Sequence, residues 1–345
     1  MAFVYKIFLL FYFLFTKNIF RVIIKCIFFE KEGIRALQII VSKIILLSLM
    51  MIVGFLAEKT GFIKNLRAHV SPILTRITLP LLVITTLSGQ VRSAETQNTA
   101  LAVFLLGILF VFLLLALGKF STIPFGFSKK RSDVHVCLTA FGNTIFLGYP
   151  LLDAIWGPQA VFYAAFFSIA NDLTAWSLGV LILSRSKDGR MDFKKLMNPT
   201  TLSYVVGALM FIFSIRLPAP IHEAAASIGS TTTVLSMLFL GAALASVRLR
   251  DLVAGLSSVT IILIKMILVP IGAFYLLSWL LPALEIPIDM LAIPILCIEI
   301  AMPCQSVFAI LAQEFGGDTE YAATAICMTT AASLVTLSFI YTFLI

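Results

Sequence analysis

Polar residues interrupt this chain at intervals that leave long apolar runs between them. From residue 37 onward ten such segments can be marked, at about 37–57, 70–89, 99–118, 134–153, 158–184, 200–216, 226–246, 254–281, 288–312 and 320–345. A membrane-spanning helix needs ~20 predominantly apolar residues. Most of the runs reach that length, and the sixth is short. Several contain proline or glycine, which in water argues against helix. In a membrane bundle, neighbouring helices and side chains satisfy the freed backbone groups. The pattern predicts an all-α membrane protein of ten transmembrane helices, with no soluble domain between them.

Composition agrees. The chain is 345 residues long, 60% hydrophobic and 12% charged, with a mean hydropathy of +1.06. Too little polar surface remains to face water. The five cysteines (Cys26, Cys137, Cys297, Cys304, Cys327) all lie in apolar stretches without paired spacing, so they read as free thiols. His69, His135 and His222 form no ligand pattern. No metal, cofactor or catalytic residue is expected.

The net charge of +8 sits in short loops and reads as a topology signal, not as a nucleic-acid site. Loops after odd-numbered segments carry Lys59, Lys64 and Arg67; Lys119, Lys129, Lys130 and Arg131; Arg185, Lys187, Arg190, Lys194 and Lys195; and Arg248 and Arg250. Loops after even-numbered segments carry Arg92 and Arg216. Odd loops are therefore expected in the cytoplasm of a cell whose inner (plasma) membrane holds the protein, with both ends of the ten-segment core outward. Residues 185–199 form the longest loop and divide the core into halves, 37–184 and 200–345. Residues 1–36 are set apart as an N-terminal extension: Phe3–Phe15 is apolar but short for a span, and Lys17, Arg21 and Lys25 follow on one helical face. An interfacial helix, an eleventh span, a signal-like segment and an over-long start all remain open for it.

The halves share a pattern. Trp156-Gly157-Pro158 leads to Tyr163-Ala164-Ala165, and Phe315-Gly316-Gly317 leads to Tyr321-Ala322-Ala323. Halves of five segments have opposite orientations, and inverted repeats of this kind mark secondary transporters. The fourth segment holds Gly142-Asn143-Thr144, Gly148 and Pro150; the ninth holds Glu299, Met302-Pro303-Cys304 and Gln305. Opened backbone at membrane depth is tolerated only where it is buried in protein or lines a cavity. Matched breaks point to a shared midplane site, with half-helix N–H groups suited to an anion.

Several motifs in order resemble the auxin efflux carrier family, which includes plant carriers and bacterial permeases. They are Gly54-Phe55-Leu56-Ala57-Glu58-Lys59-Thr60-Gly61, Leu79-Pro80, Asn143-Thr144 with Gly148 and Pro150, Asn198-Pro199, Gly241 with Leu244, and Met302-Pro303 followed by Gly316-Gly317-Asp318. The resemblance covers about residues 37–345. It implies two inverted five-helix repeats with broken fourth and ninth helices crossing near the substrate, as in sodium/proton antiporters and bile-acid symporters. It also implies alternating access, and it makes Asn143 and Pro303 the crossover positions, with Thr144 and Gln305 beside them. Plant carriers have proline where Gly142 stands here, and their long central loop is reduced to residues 185–199. That points to malate-like carboxylates, not auxin.

Three charges deep inside the core need an account: Asp172, Lys265 and Glu299. A charge near the bilayer centre costs ~2.5–3.5 kcal/mol on insertion scales, so it faces protein or water. Asp172, with neighbouring Asn171, is the candidate for a coupling proton, with sodium the alternative ion. Lys265 and Glu299 are the candidate for a structural charge pair. The expected partners are thus a small organic anion, a coupling ion and lipid. A homodimer is left open, as are a membrane sensor and an embedded enzyme. The latter finds no nucleophile or metal motif, and no P-loop supports ATP-driven transport.

Overall fold

The structure, a computed structural model, describes residues 31–184, 199–245, 257–283 and 287–344. The basic face of Lys17, Arg21 and Lys25, Cys26, and nearly all of the 185–199 loop lie outside the described residues. Twelve helical elements follow one another among those described. They are α1 (Lys31–Lys59), α2 (Leu66–Gly89), α3 (Ala94–Ser121), α4 (Lys129–Ala140), α5 (Thr144–Trp156) and α6 (Pro158–Ser184). Then come α7 (Pro199–Ile212), α8 (Ala219–Ala245), α9 (Ser258–Ala283), α10 (Ala292–Ile300), α11 (Val307–Phe315) and α12 (Thr319–Leu344). The chain divides between Ile45 and Leu46, and everything below concerns residues 46–345.

Six helices, α2, α3, α6, α8, α9 and α12, are long and apolar enough to cross a membrane. α3 shows what such a helix looks like. It buries Val103, Phe110 and Leu114 against the protein and leaves Leu101, Leu105, Leu109 and Phe112 exposed. A helix that is apolar all round is stable where its outer face meets lipid. Its start is fixed by a capping box, Ser93 accepting from the Thr96 N–H while Thr96 accepts from the Ser93 N–H. The fourth and ninth apolar segments each form two short helices, α4 with α5 and α10 with α11, and not one span apiece.

Three prolines within these helices follow wider turns. π turns run over Leu74–Thr78, Thr144–Gly148 and Ile264–Leu268, and each ends one residue short of Pro80, Pro150 or Pro270. Proline has no N–H and its ring crowds the carbonyl four residues back. Adding one residue to the turn moves that carbonyl away.

Two packing groups emerge. α2 packs with α7 and α8, with the C-terminal part of α1 against α8; α3 to α6 pack with α9 to α12. In the first group the backbones of α1 and α8 nearly touch. A Cβ on Gly54 would collide with the Leu238 carbonyl oxygen, and one on Gly241 with the Met51 carbonyl oxygen. Small residues at such crossings let membrane helices gain van der Waals contact where no hydrophobic force separates helix from lipid. Gly241→Leu should therefore force the two helices apart at a cost of about 1–3 kcal/mol, and thermal unfolding of the detergent-purified variant should occur at lower temperature.

Candidate functional site

The breaks in the fourth and ninth segments meet. α4 ends at Ala140 and α10 at Ile300, and the extended residues that follow pair as a short antiparallel bridge between Gly142 and Cys304. The Asn143 N–H donates to the Pro303 carbonyl at 2.8 Å, and the Gln305 N–H donates to the Phe141 carbonyl at 3.1 Å. Two side chains complete the backbone set. The Gly142 N–H donates to Asn171 Oδ1 at 3.2 Å, and the Cys304 N–H donates to Thr329 Oγ1 at 3.2 Å. Each opened chain thus supplies the other with what helix would have provided.

Polar side chains gather on one side of the bridge. Asn143 and Thr144 are buried, and Thr144 Oγ1 accepts from Ser168 at 2.9 Å. Asp172, half-buried on α6, accepts from Asn171 Nδ2 at 3.2 Å and Gln305 Nε2 at 3.3 Å. Asn143 Nδ2 and Gln305 Oε1 are buried without a hydrogen-bond partner. One donor and one acceptor therefore remain at the crossing. Asn143, Thr144, Asn171, Asp172, Pro303 and Gln305 are brought to one place.

Lys265 and Glu299, expected as a pair, do not bond to one another. Lys265 Nζ reaches the Leu138 carbonyl in the last turn of α4, at 3.5 Å, where a cation complements the negative end of the helix. Both Glu299 carboxylate oxygens lack a hydrogen-bond partner. Each residue is 1% exposed.

Further polar contacts escaped the sequence reading. Tyr149 on α5 and Tyr204 on α7 share a buried hydroxyl contact of 2.9 Å. Just ahead of α10, Asp289 takes Tyr163 at 3.0 Å and Gln159 at 2.7 Å, and its N–H donates to Thr99 of α3 at 2.8 Å. Along α4, His135 contacts Tyr321 at 2.6 Å and Ser121 at 2.8 Å, while Arg131 donates to Ser257 at 3.3 Å and lies over the Tyr321 ring. Among the described residues no cluster of His, Cys, Asp and Glu could hold a metal ion. Cys297 and Cys304 carry free thiols.

A multi-pass helical protein whose broken helices meet in a polar crossing is built as a membrane transporter. The family model described as membrane transport protein matches residues 39–193 and 189–341, and the chain belongs to that family, the auxin efflux carrier family. It is also 24% identical over 307 residues to an uncharacterized transporter of Methanocaldococcus jannaschii, across 86% of this chain and 96% of that protein.

Asn171→Ala should leave the buried Gly142 N–H without a partner at a cost of about 1–3 kcal/mol. The checking measurement is the thermal unfolding midpoint, which should fall for Asn171→Ala.

Proposed function

We propose that this transporter is a secondary carrier of small organic anions, malate-like carboxylates in particular, working by alternating access in the inner (plasma) membrane. The observation that carries this reading is the crossing itself. α5 and α11 both begin there, and the first N–H groups of a helix have no partner within it. Together with the unpartnered amide of Asn143, they suit a carboxylate. Asp172, held between two amide donors, is the coupling proton's carrier.

The ten-span arrangement as two inverted repeats draws support from paired details. Gly157 and Gly316 both take positive φ (75° and 71°) just ahead of α6 and α12, although only Gly316 is left-handed helical (ψ 27°, against −164° at Gly157). Tyr163 then bonds just ahead of α10, and Tyr321 bonds α4. Eight residues beyond each tyrosine, Asn171 and Thr329 cap the two strands of the bridge. The group containing α3 to α6 and α9 to α12 then moves against the group containing α2, α7 and α8, and odd loops face the cytoplasm.

Uptake of labelled malate into proteoliposomes with an imposed pH gradient tests the reading. Native protein should show gradient-dependent flux. Asn143→Ala, losing a hydrogen bond to a charged group worth about 1.5–3 kcal/mol, should raise the half-saturating malate concentration roughly tenfold or more. Asp172→Asn should still exchange malate but no longer respond to the pH gradient. A response to a sodium gradient alone would replace the proton by sodium.

A further inference from the structure

Glu299 is a carboxyl that the crossing does not use. It stands in the last turn of α10, where the helix dipole disfavours an anion. It is 1% exposed, and neither carboxylate oxygen has a hydrogen-bond partner. Its seat is a bare glycine on the facing half-helix. A Cβ on Gly148 would stand 2.7 Å from Oε1 and 3.2 Å from Oε2. The carboxyl therefore occupies the space in which any other residue at 148 would place its side chain.

The titratable groups facing it are Tyr149 on α5 and Asp172 on α6. The nearby cation, Lys265 of α9, is engaged at the Leu138 carbonyl beside Gly142. An ionised carboxylate with no donor, no cation and a second carboxyl as neighbour costs several kcal/mol at such a site. The neutral acid costs far less. Asp172 differs, because two amide N–H donors already hold its oxygen. Two carboxyls in contrasting surroundings divide the states between them, one ionised and one protonated.

We propose that Glu299 is a second proton-exchange site of the carrier, loaded while its carboxyl is buried on Gly148 and unloaded when the group that holds both broken helices moves against α2, α7 and α8 and admits water past α5, which packs on α8. When water enters, the Glu299 O–H bond breaks and the proton passes to that water. The carboxylate left behind is hydrated, and burying it again requires that it take a proton back. Gly148 is then the residue that makes seating possible, and the exchange is tied to the movement of that group. The proposal deepens the carrier reading and rests on it for the movement, whereas the protonated state of Glu299 stands on burial alone.

Infrared spectroscopy of the full chain in liposomes tests it, with no substrate required. A protonated-carboxyl carbonyl band that shifts in D2O should be present at neutral pH. It should be lost, by one equivalent per chain, in Glu299→Gln and kept in Asp172→Asn. Gly148→Ala, which displaces the carboxyl, should shift the band, and it serves as the second variant if Glu299→Gln fails to fold. A neutral-pH spectrum without the band, or one that neither variant changes, overturns the proposal. So does loss of the band on adding sodium chloride at constant pH, which would put an alkali ion at the site. Because the band is read without transport, absent malate flux would count against the carboxylate-carrier reading while leaving the assignment of Glu299 to the spectrum.

Discussion

A chain that opens its helices inside an apolar medium must find partners for the backbone groups it frees, since each unsatisfied group costs several kcal/mol there. In this protein two opened segments satisfy each other. Asn143 and Gln305 donate across the crossing, and Asn171 and Thr329 close the remaining N–H groups of Gly142 and Cys304 from behind. Much else serves this meeting. α3 and α9 flank the half-helices, and α6 and α12 bring the capping side chains. Gly157 and Gly316, both at positive φ, return the chain into α6 and α12. Lys265 neutralises one exposed helix end.

Apolar length was the most legible property. Runs of apolar residues mark helices because lipid removes every other way of pairing the backbone. The breaks were legible too, at Gly142-Asn143 and at Met302-Pro303, since glycine and proline so deep in an apolar run have few other uses. Less legible was how each broken segment divides. The fourth and ninth runs look continuous by hydropathy, yet Phe141 and Met302 are part of extended chain, because apolar side chains do not distinguish helix from a buried strand.

The polar partners were read unevenly. Asn143, Asn171, Asp172 and Gln305 stood out because their side chains are costly in an apolar run. Thr329, Ser168 and Tyr204 did not. Hydroxyl residues are common in membrane helices and usually bond a carbonyl of their own helix, as Thr329 also does to Ala325 at 2.8 Å. A signal was nevertheless present, because Thr329 repeats the position of Asn171 relative to the paired tyrosines. The pairing of Lys265 with Glu299 was a guess from opposite charge. It omitted the competition from a helix terminus, which attracts the ammonium just as a carboxylate would.

α6 and α12 place a capping side chain on the bridge eight residues beyond a tyrosine and differ in the residue that follows, and the difference is directional. At the equivalent of Asn171-Asp172 the second half carries Thr329-Thr330, whose hydroxyls bond back to carbonyls of α12 at 2.8 and 2.7 Å. The α12 side of the crossing is thus satisfied by its own helix. The α6 side presents a carboxylate, held by Asn171 and by Gln305 from the opposite half. Backbone repetition is enough to build a crossing, since the bridge needs only N–H and C=O groups that every residue but proline has. The proposed carriage of an anion would need the symmetry broken, so that charge and unpartnered donors lie where the two chains meet on one face. Asp172, Asn143 and Gln305 supply that asymmetry. They do so without weakening the bridge, because the groups they offer are side chains and the groups that hold the fold are main chain.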